Sequence, residues 1–224
     1  MRWLALALLA LAAGAHAEDR GFNGVYGGVG TGLGMSHSTW VTDATLGTLD
    51  ESVSHDANGA FGGLQLGYRW GGTFLAGLEA AWYGGKMQAN TGAQIPGQPS
   101  LERTTKIRNP GSLAVQLGIA GSRQFYYTRG GLAFADIELQ ATDHQTGNTA
   151  NWQKTALGWT AGAGFEVALS PSTGLGRNAR IGLEYNYARL TMKDVGTVNT
   201  NNLVVTASQF KSNIHLLMVR LNWQ

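Results

Sequence analysis

The sequence predicts an all-β fold, an eight-stranded antiparallel up-and-down transmembrane β-barrel, and three observations predict it. Apolar residues recur at every second position over eight separate stretches, the period of a strand whose two faces meet different surroundings. Long polar connections follow the first, third, fifth and seventh of these stretches, while mostly short turns follow the others. That parity is what an up-and-down barrel produces when its two ends face different compartments. The 224 residues include 33 glycines, four prolines and no cysteine. The glycines gather on the faces opposite the apolar ones, where an eight-stranded interior leaves least space.

Each element follows from the same pattern. From Gly24 to Gly34 the chain reads GVYGGVGTGLG, with Val25, Val29, Thr31 and Leu33 on one face and Gly28, Gly30, Gly32 and Gly34 on the other. The glycines keep a period of two, without the spacing of a dinucleotide-binding loop. A polar connection of about residues 36–58 leads to a second strand over Phe61 to Tyr68, closed by the turn Trp70-Gly71-Gly72. The third places Phe74, Ala76, Leu78, Ala80 and Trp82 outward. The eight steps from Phe74 to Trp82 span about 20 Å along the membrane normal at ~3.3 Å per residue and ~40° of tilt, close to the ~25 Å apolar band of such barrels.

After a second polar connection, about residues 86–110, Leu113, Val115, Leu117 and Ile119 form the outward face of the fourth strand. The fifth, Phe125 to Gln140, is less regular: Ala133, Ala135 and Ile137 fall on one face and Phe134, Asp136 and Glu138 on the other. Taking the apolar set as outward also turns Arg129 and Tyr127 outward, and Arg129 then needs either snorkelling or a bulge. Past a third polar connection, 141–151, the stretch Leu157 to Leu169 (LGWTAGAGFEVAL) sets Leu157, Trp159, Phe165 and Val167 against Gly158, Gly162, Gly164 and Glu166. The seventh strand alternates Ile181, Leu183, Tyr185 and Tyr187 with Arg180, Gly182, Glu184 and Asn186. A fourth polar connection, 193–208, precedes the last, where His215, Leu217, Val219, Leu221 and Trp223 share a face.

Ahead of the barrel, Arg2, an apolar run from Trp3 to Ala13 and Ala15-His16-Ala17 read as a secretory signal cleaved after residue 17. The run is shorter than the roughly 20 residues a spanning helix needs. The expected division is therefore 1–17 signal peptide and 18–224 barrel domain. Only 13% of residues are charged, with a formal net charge of +2, so no basic stripe of the kind that neutralises nucleic-acid phosphates is present.

Several segments together carry a family resemblance. These are G-x-Y-x-G at Gly24, Tyr26 and Gly28, LGYRW at 66–70, AGLEA at 76–80, YYTRGGLAFADI at 126–137, LGWTAGAGFEVAL at 157–169 and RIGLEYNYARL at 180–190. In that order, the chain resembles the small outer-membrane β-barrel proteins of Gram-negative bacteria, the porin-family, Omp25/opacity-like and OmpA/OmpX-like barrels. The resemblance implies the outer membrane as location, with lipid and lipopolysaccharide as surroundings. It also implies the barrel-assembly machinery and periplasmic chaperones as partners in biogenesis. One departure is Gln224 after Trp223, where such barrels end on an aromatic residue.

The residues that could carry function are few. Glu79, Glu166 and Glu184 fall on inward faces together with Arg69, Arg180 and Arg220, and could pair across the lumen. Tyr68, Phe74, Tyr127 and Trp223 at one end, and Trp82, Trp159 and Tyr187 at the other, are expected as two interfacial girdles. His37, His55 and His144 stand beside Ser38, Asp56 and Asp143 in polar segments, without the base-and-orienter arrangement of a nucleophilic site. Asp50, Glu51, His55 and Asp56 read as a solvated loop rather than a metal site, and no cofactor is expected. The sequence therefore points to a monomeric, non-enzymatic structural or surface-interaction barrel whose lumen is filled by side chains. A narrow channel for ions or small solutes is the alternative, and a loop-borne adhesin or host-factor binder the third reading.

Overall fold

The computed structural model describes residues 21–42, 51–91, 101–143, 149–176, 178–200 and 203–224. The expected signal segment, Asp50 and His144 lie outside them. Eight strands, β1 (Gly24–Thr42), β2 (Glu51–Gly71), β3 (Phe74–Thr91), β4 (Leu101–Ala120), β5 (Gln124–Asp143), β6 (Thr149–Ala168), β7 (Ala179–Thr200) and β8 (Leu203–Trp223), pair antiparallel with their sequence neighbours. β1 pairs β8, from Gly27↔Trp223 to Val41↔Gln209, and closes the barrel. Tight connections join β2 to β3 and β4 to β5, and a short 3-10 turn, Pro171–Thr173, lies between β6 and β7.

The strands are 18 to 22 residues long, roughly 45–55 Å of height at ~3.3 Å per residue and ~40° of tilt, about twice the apolar band of a bilayer. The polar stretches expected as long loops are therefore strand over much of their length: β1 runs on to Thr42, β3 to Thr91 and β7 to Thr200. Their hydrophobic period is weak because the outer surface there meets water, yet the backbone ladder continues.

Polarity across the wall reverses along the axis. At membrane height Leu33, Leu64, Phe74, Leu117, Leu132, Leu157 and Leu217 point outward and are exposed, while Arg, Glu and Gln point inward. Beyond the bilayer Lys86, Lys106, Arg108, Asp136, Glu138, Arg189 and Lys211 alternate outward. The inward residues at this level, Met87, Ile107, Ala135, Ile137, Leu190, Phe210 and Ile214, form one buried apolar cluster.

This reversal corrects the expectation for β5. Its described odd residues face inward, with Phe125, Tyr127, Arg129, Ala133, Ala135 and Ile137 all buried. The apolar trio Ala133, Ala135 and Ile137 marks the interior rather than lipid, because in that part of the strand the outside is wet. Arg129 accordingly needs neither snorkelling nor a bulge.

A bulge does occur on β4. The register shifts between Arg108 and Gly111, and Asn109 takes φ 50°, a left-handed conformation that asparagine tolerates better than most residues. Pro110 cannot donate to a ladder and is accommodated at such an irregularity. The shift moves the inward set from Thr105 and Ile107 to Ala114 and Gln116. A matching shift on β3 between Trp82 and Lys86 includes Gly85 at φ 143°, so both irregularities fall just beyond the girdle residue Trp82.

Above the bilayer the cylinder divides. The β6–β7 ladder ends at Leu157↔Thr191, and the β2–β3 ladder at Phe61↔Gly85 with one further pair, Asn58↔Gln88. Beyond those points β7-β8-β1-β2 continue as one sheet and β3-β4-β5-β6 as another. Both contribute to the apolar cluster, in the manner of two packed sheets.

Candidate functional site

The lumen at membrane height holds three carboxylates and three guanidiniums in contact. Arg69 on β2 grips Glu166 on β6 with two parallel bonds, Nη1 to Oε2 at 2.9 Å and Nη2 to Oε1 at 2.6 Å. Its Nε donates to Gln116 Oε1 at 3.0 Å, and its plane lies over the Tyr26 ring, 3.9 Å from the centroid. Asn222 donates to Glu166 at 2.9 Å and accepts from Gln65 at 2.8 Å. Such bidentate geometry is the strong form of the Arg–carboxylate pair.

The second node lies around Glu184. Arg129 Nη1 is 2.7 Å from Glu184 Oε1 and 2.9 Å from Glu79 Oε1, and Arg220 bonds both Glu79 and Glu184. Tyr127 and Asn186 donate to Glu184 at 2.6 and 2.7 Å, and Tyr26 donates to Glu79 at 2.6 Å. Every charged side chain here is at most 1% exposed, and three negative charges face three positive ones.

The strands bring these groups together because alternate residues of each point inward and glycines beside them leave room. A Cβ on Gly67 would stand 2.5 Å from the Tyr26 ring, and one on Gly164 2.7 Å from that of Tyr127. Each glycine is thus the floor on which an aromatic lies to reach its glutamate.

Of the six expected lumen charges, five join this network. Arg180 is the exception: it bonds the Gly21 carbonyl at 2.9 Å and the Gln224 side chain, and lies over Phe22. Phe22 in turn stacks on Phe125 at 5.3 Å, so the segment before β1 covers the short-turn end of the barrel. Gln224, the departure from an aromatic end, also accepts from Asn178 through its backbone carbonyl at 3.1 Å. Arg129 is the functional residue that the sequence reading turned the wrong way. Its signal was the position two residues after Tyr127 on an otherwise buried face.

Above the charges, Tyr83, Ser112, Arg129, Asn186, Ala188 and Leu216 help line a cavity of about 30 Å³, room for one or two waters. The apolar cluster lies beyond it.

A family model for the outer membrane protein β-barrel domain matches residues 3–210. The chain belongs to this family. Two relatives of this outer-membrane barrel are each named a 31 kDa outer-membrane immunogenic protein, from Brucella melitensis biotype 1 and from Brucella suis biovar 1. Both are 31% identical over 184 residues, 77% of this chain and 69% of theirs. Among solved structures, the outer membrane protease OmpT from Escherichia coli has a TM-score of 0.51 at 8% identity, covering 93% of this chain and 99% of that one. That likeness speaks to the fold alone. As a member of the family, the barrel resides in the outer membrane of a Gram-negative cell.

Of the residues expected as girdles, Tyr68, Phe74, Trp82, Trp159 and Trp223 are exposed on the outward face and Tyr187 is half-buried there. Tyr127 is not among them: it is 4% exposed inside the lumen, and Tyr126 at 59% occupies the outward position. The reason is the same inverted parity of β5. At the outer girdle Trp159, Tyr187 and His215 touch in sequence, with ring centroids 5.3 and 5.2 Å apart, and Tyr185 Oη lies 2.6 Å from His215 Nδ1.

The remaining candidates are dispersed. His37 contacts Asp56 at 2.7 Å across β1 and β2, both exposed, while neighbouring Ser38 faces inward and donates to Ser212 at 3.0 Å. The side chains of Glu51 and His55 lie outside the described residues. Among the described residues no three metal-type side chains gather. Outside the bilayer, Glu138 accepts from Lys106 at 2.8 Å and Arg108 at 3.0 Å. The Lys106 ammonium hydrogen-bonded to it, with Arg108 and Lys86 near, holds the Glu138 carboxyl below the usual carboxylate range.

Proposed function

We propose that the protein is a sealed, non-catalytic barrel that serves the outer membrane as a structural element and carries two β-sheets beyond the bilayer for surface contacts. The observation that carries this reading is the filled lumen, in which buried ion pairs occupy membrane height and an apolar cluster lies above them. Ions crossing such a barrel must break charge pairs that are unexposed and then cross hydrocarbon, both costly steps. The paired sheets above the bilayer give the outer half a surface that does not depend on loops. Exposure to the exterior accords with the word immunogenic in the names of the Brucella relatives.

The non-catalytic part of the reading rests on side-chain placement. His37 and Ser38 point to opposite faces, and the buried carboxylates are consumed by arginines. The barrel works as a monomer, assembled with the periplasmic chaperones and insertion machinery that serve its family. Planar-bilayer recording on the folded chain tests the sealed lumen. Absence of steady unitary currents is the expected result, and reproducible steps at neutral pH would replace this reading with a narrow channel.

A further inference from the structure

The outward face of β7 and β8 just above the outer girdle carries a cluster of three cations among its described side chains. Arg189 and Lys193 are exposed, Lys211 is half-buried, and the three are interleaved by register. Arg189 pairs with Asn213 and Lys193 with Gln209, so Lys211, two residues from each partner, is diagonal to both. Diagonal neighbours on a sheet lie roughly 7–8 Å apart, within reach of long side chains, and like charges so placed repel.

On the opposite side of the barrel the equivalent cations Lys106 and Arg108 share a carboxylate, Glu138. On β6, β7 and β8 the described outward side chains above Trp159 and Tyr187 include no carboxylate: they are Asn151, Gln153, Thr155, Arg189, Thr191, Lys193, Gln209, Lys211 and Asn213. Directly beneath stands the contiguous aromatic patch of Trp159, Tyr187, His215 and Tyr185, which fixes the level of the interface. Arg189 is two residues beyond Tyr187, about 5 Å higher at ~3.3 Å per residue and ~40° of tilt, and Lys193 about 15 Å higher.

We propose that Arg189, Lys193 and Lys211 form a binding site for the phosphorylated headgroup of an outer-leaflet glycolipid, with its acyl chains lying against the aromatic patch. The height of the cations, their spacing and the lack of a carboxylate among the described outward side chains of β6, β7 and β8 all suit a headgroup bearing more than one phosphate. Arg189 supplies a planar fork for one phosphate and the lysines supply point charges for another. The membrane location is that of the family, and the site does not depend on whether the lumen is sealed.

Native mass spectrometry of the full chain, folded in detergent and titrated with bisphosphorylated lipid A, tests the site. The triple variant R189Q/K193Q/K211Q is expected to lose at least about tenfold in affinity. Wild-type protein should lose as much toward the same lipid stripped of its phosphates, and a control variant K86Q/K154Q should remain within about twofold. Millimolar inorganic phosphate should not displace the lipid. Folding of each variant is read from heat-modifiable mobility, and the stripped-lipid arm needs no variant. Unchanged affinity in the folded triple variant, equal binding of stripped lipid, an equal loss in the control, or displacement by free phosphate would each overturn the assignment.

Discussion

Glu184 accepts hydrogen bonds from Tyr127, Arg129, Asn186 and Arg220 while wholly removed from water. Replacing it by Gln leaves Arg129 and Arg220 with Glu79 as their shared carboxylate, a net positive charge in a site without solvent. Removing one member of a buried pair costs about 3 to 5 kcal/mol. Glu184→Gln should therefore lower the unfolding free energy of the barrel in vesicles by that order and shift its urea midpoint down, read from tryptophan fluorescence and heat-modifiable mobility. The double variant Arg69→Met with Glu166→Leu is expected to cost less than either of its single changes, because both charges leave together. A double variant worse than its singles would mean that Gln116 and Asn222, not the charges, dominate that node.

At the scale of the strand, what the sequence made legible depended on which side of the wall was wet. β7 could be read directly, since Ile181, Leu183, Tyr185 and Tyr187 are apolar at membrane height and point outward. β6 was equally plain from Leu157 to Phe165. β5 was not, because its most regular apolar residues, Ala135 and Ile137, lie beyond the bilayer where apolar means inward. Arg129 and Tyr127 were turned with them, and the second node of the lumen lost one of its two arginines. Pairing of Glu166 with Arg69 in particular depends on the offset between strands six and two, which no single-strand pattern carries. The polar stretches have only a weak hydrophobic period, and so much of their strand went unseen.

Two expectations belong to single strands. Ala163, outward on β6 beside Thr128 and Tyr185 in the ladder, faces the middle of the bilayer. Ala163→Arg should cost about 2 to 4 kcal/mol and reduce folded yield; undiminished yield would contradict the orientation of β6. On β4 and β5, the carboxyl of Glu138 has a folded-state pKa held below its unfolded one by Lys106. Its stabilisation is therefore fully present above about pH 4.3 and is lost as pH falls through the depressed value. The pair is at the surface, so the effect stays below about 1 kcal/mol. Acid titration of wild type against Glu138→Gln should show the gap between them closing below that pH.

For the whole molecule, the reversal of polarity along the axis divides the strands into a lipid-facing part and a water-facing part, with irregularities between them on β3 and β4 and aromatic residues on β6 and β7. The native chain has no cysteine, so single cysteines report position without background. Along β6 in lipid vesicles, Gln153→Cys and Thr155→Cys should react with a membrane-impermeant maleimide, since both are outward and exposed above Leu157. Ala161→Cys and Ala163→Cys should resist that reagent and, once labelled before reconstitution with a fluorophore, be quenched by a lipid-borne quencher. Ala156→Cys, buried at 1% in the apolar cluster, should resist both. If the apolar band instead continued to the end of the strand, positions 153 and 155 would behave like 163. The outer half would then be membrane rather than a pair of solvated sheets, and the basic face of β7 and β8 would have no headgroup layer to meet.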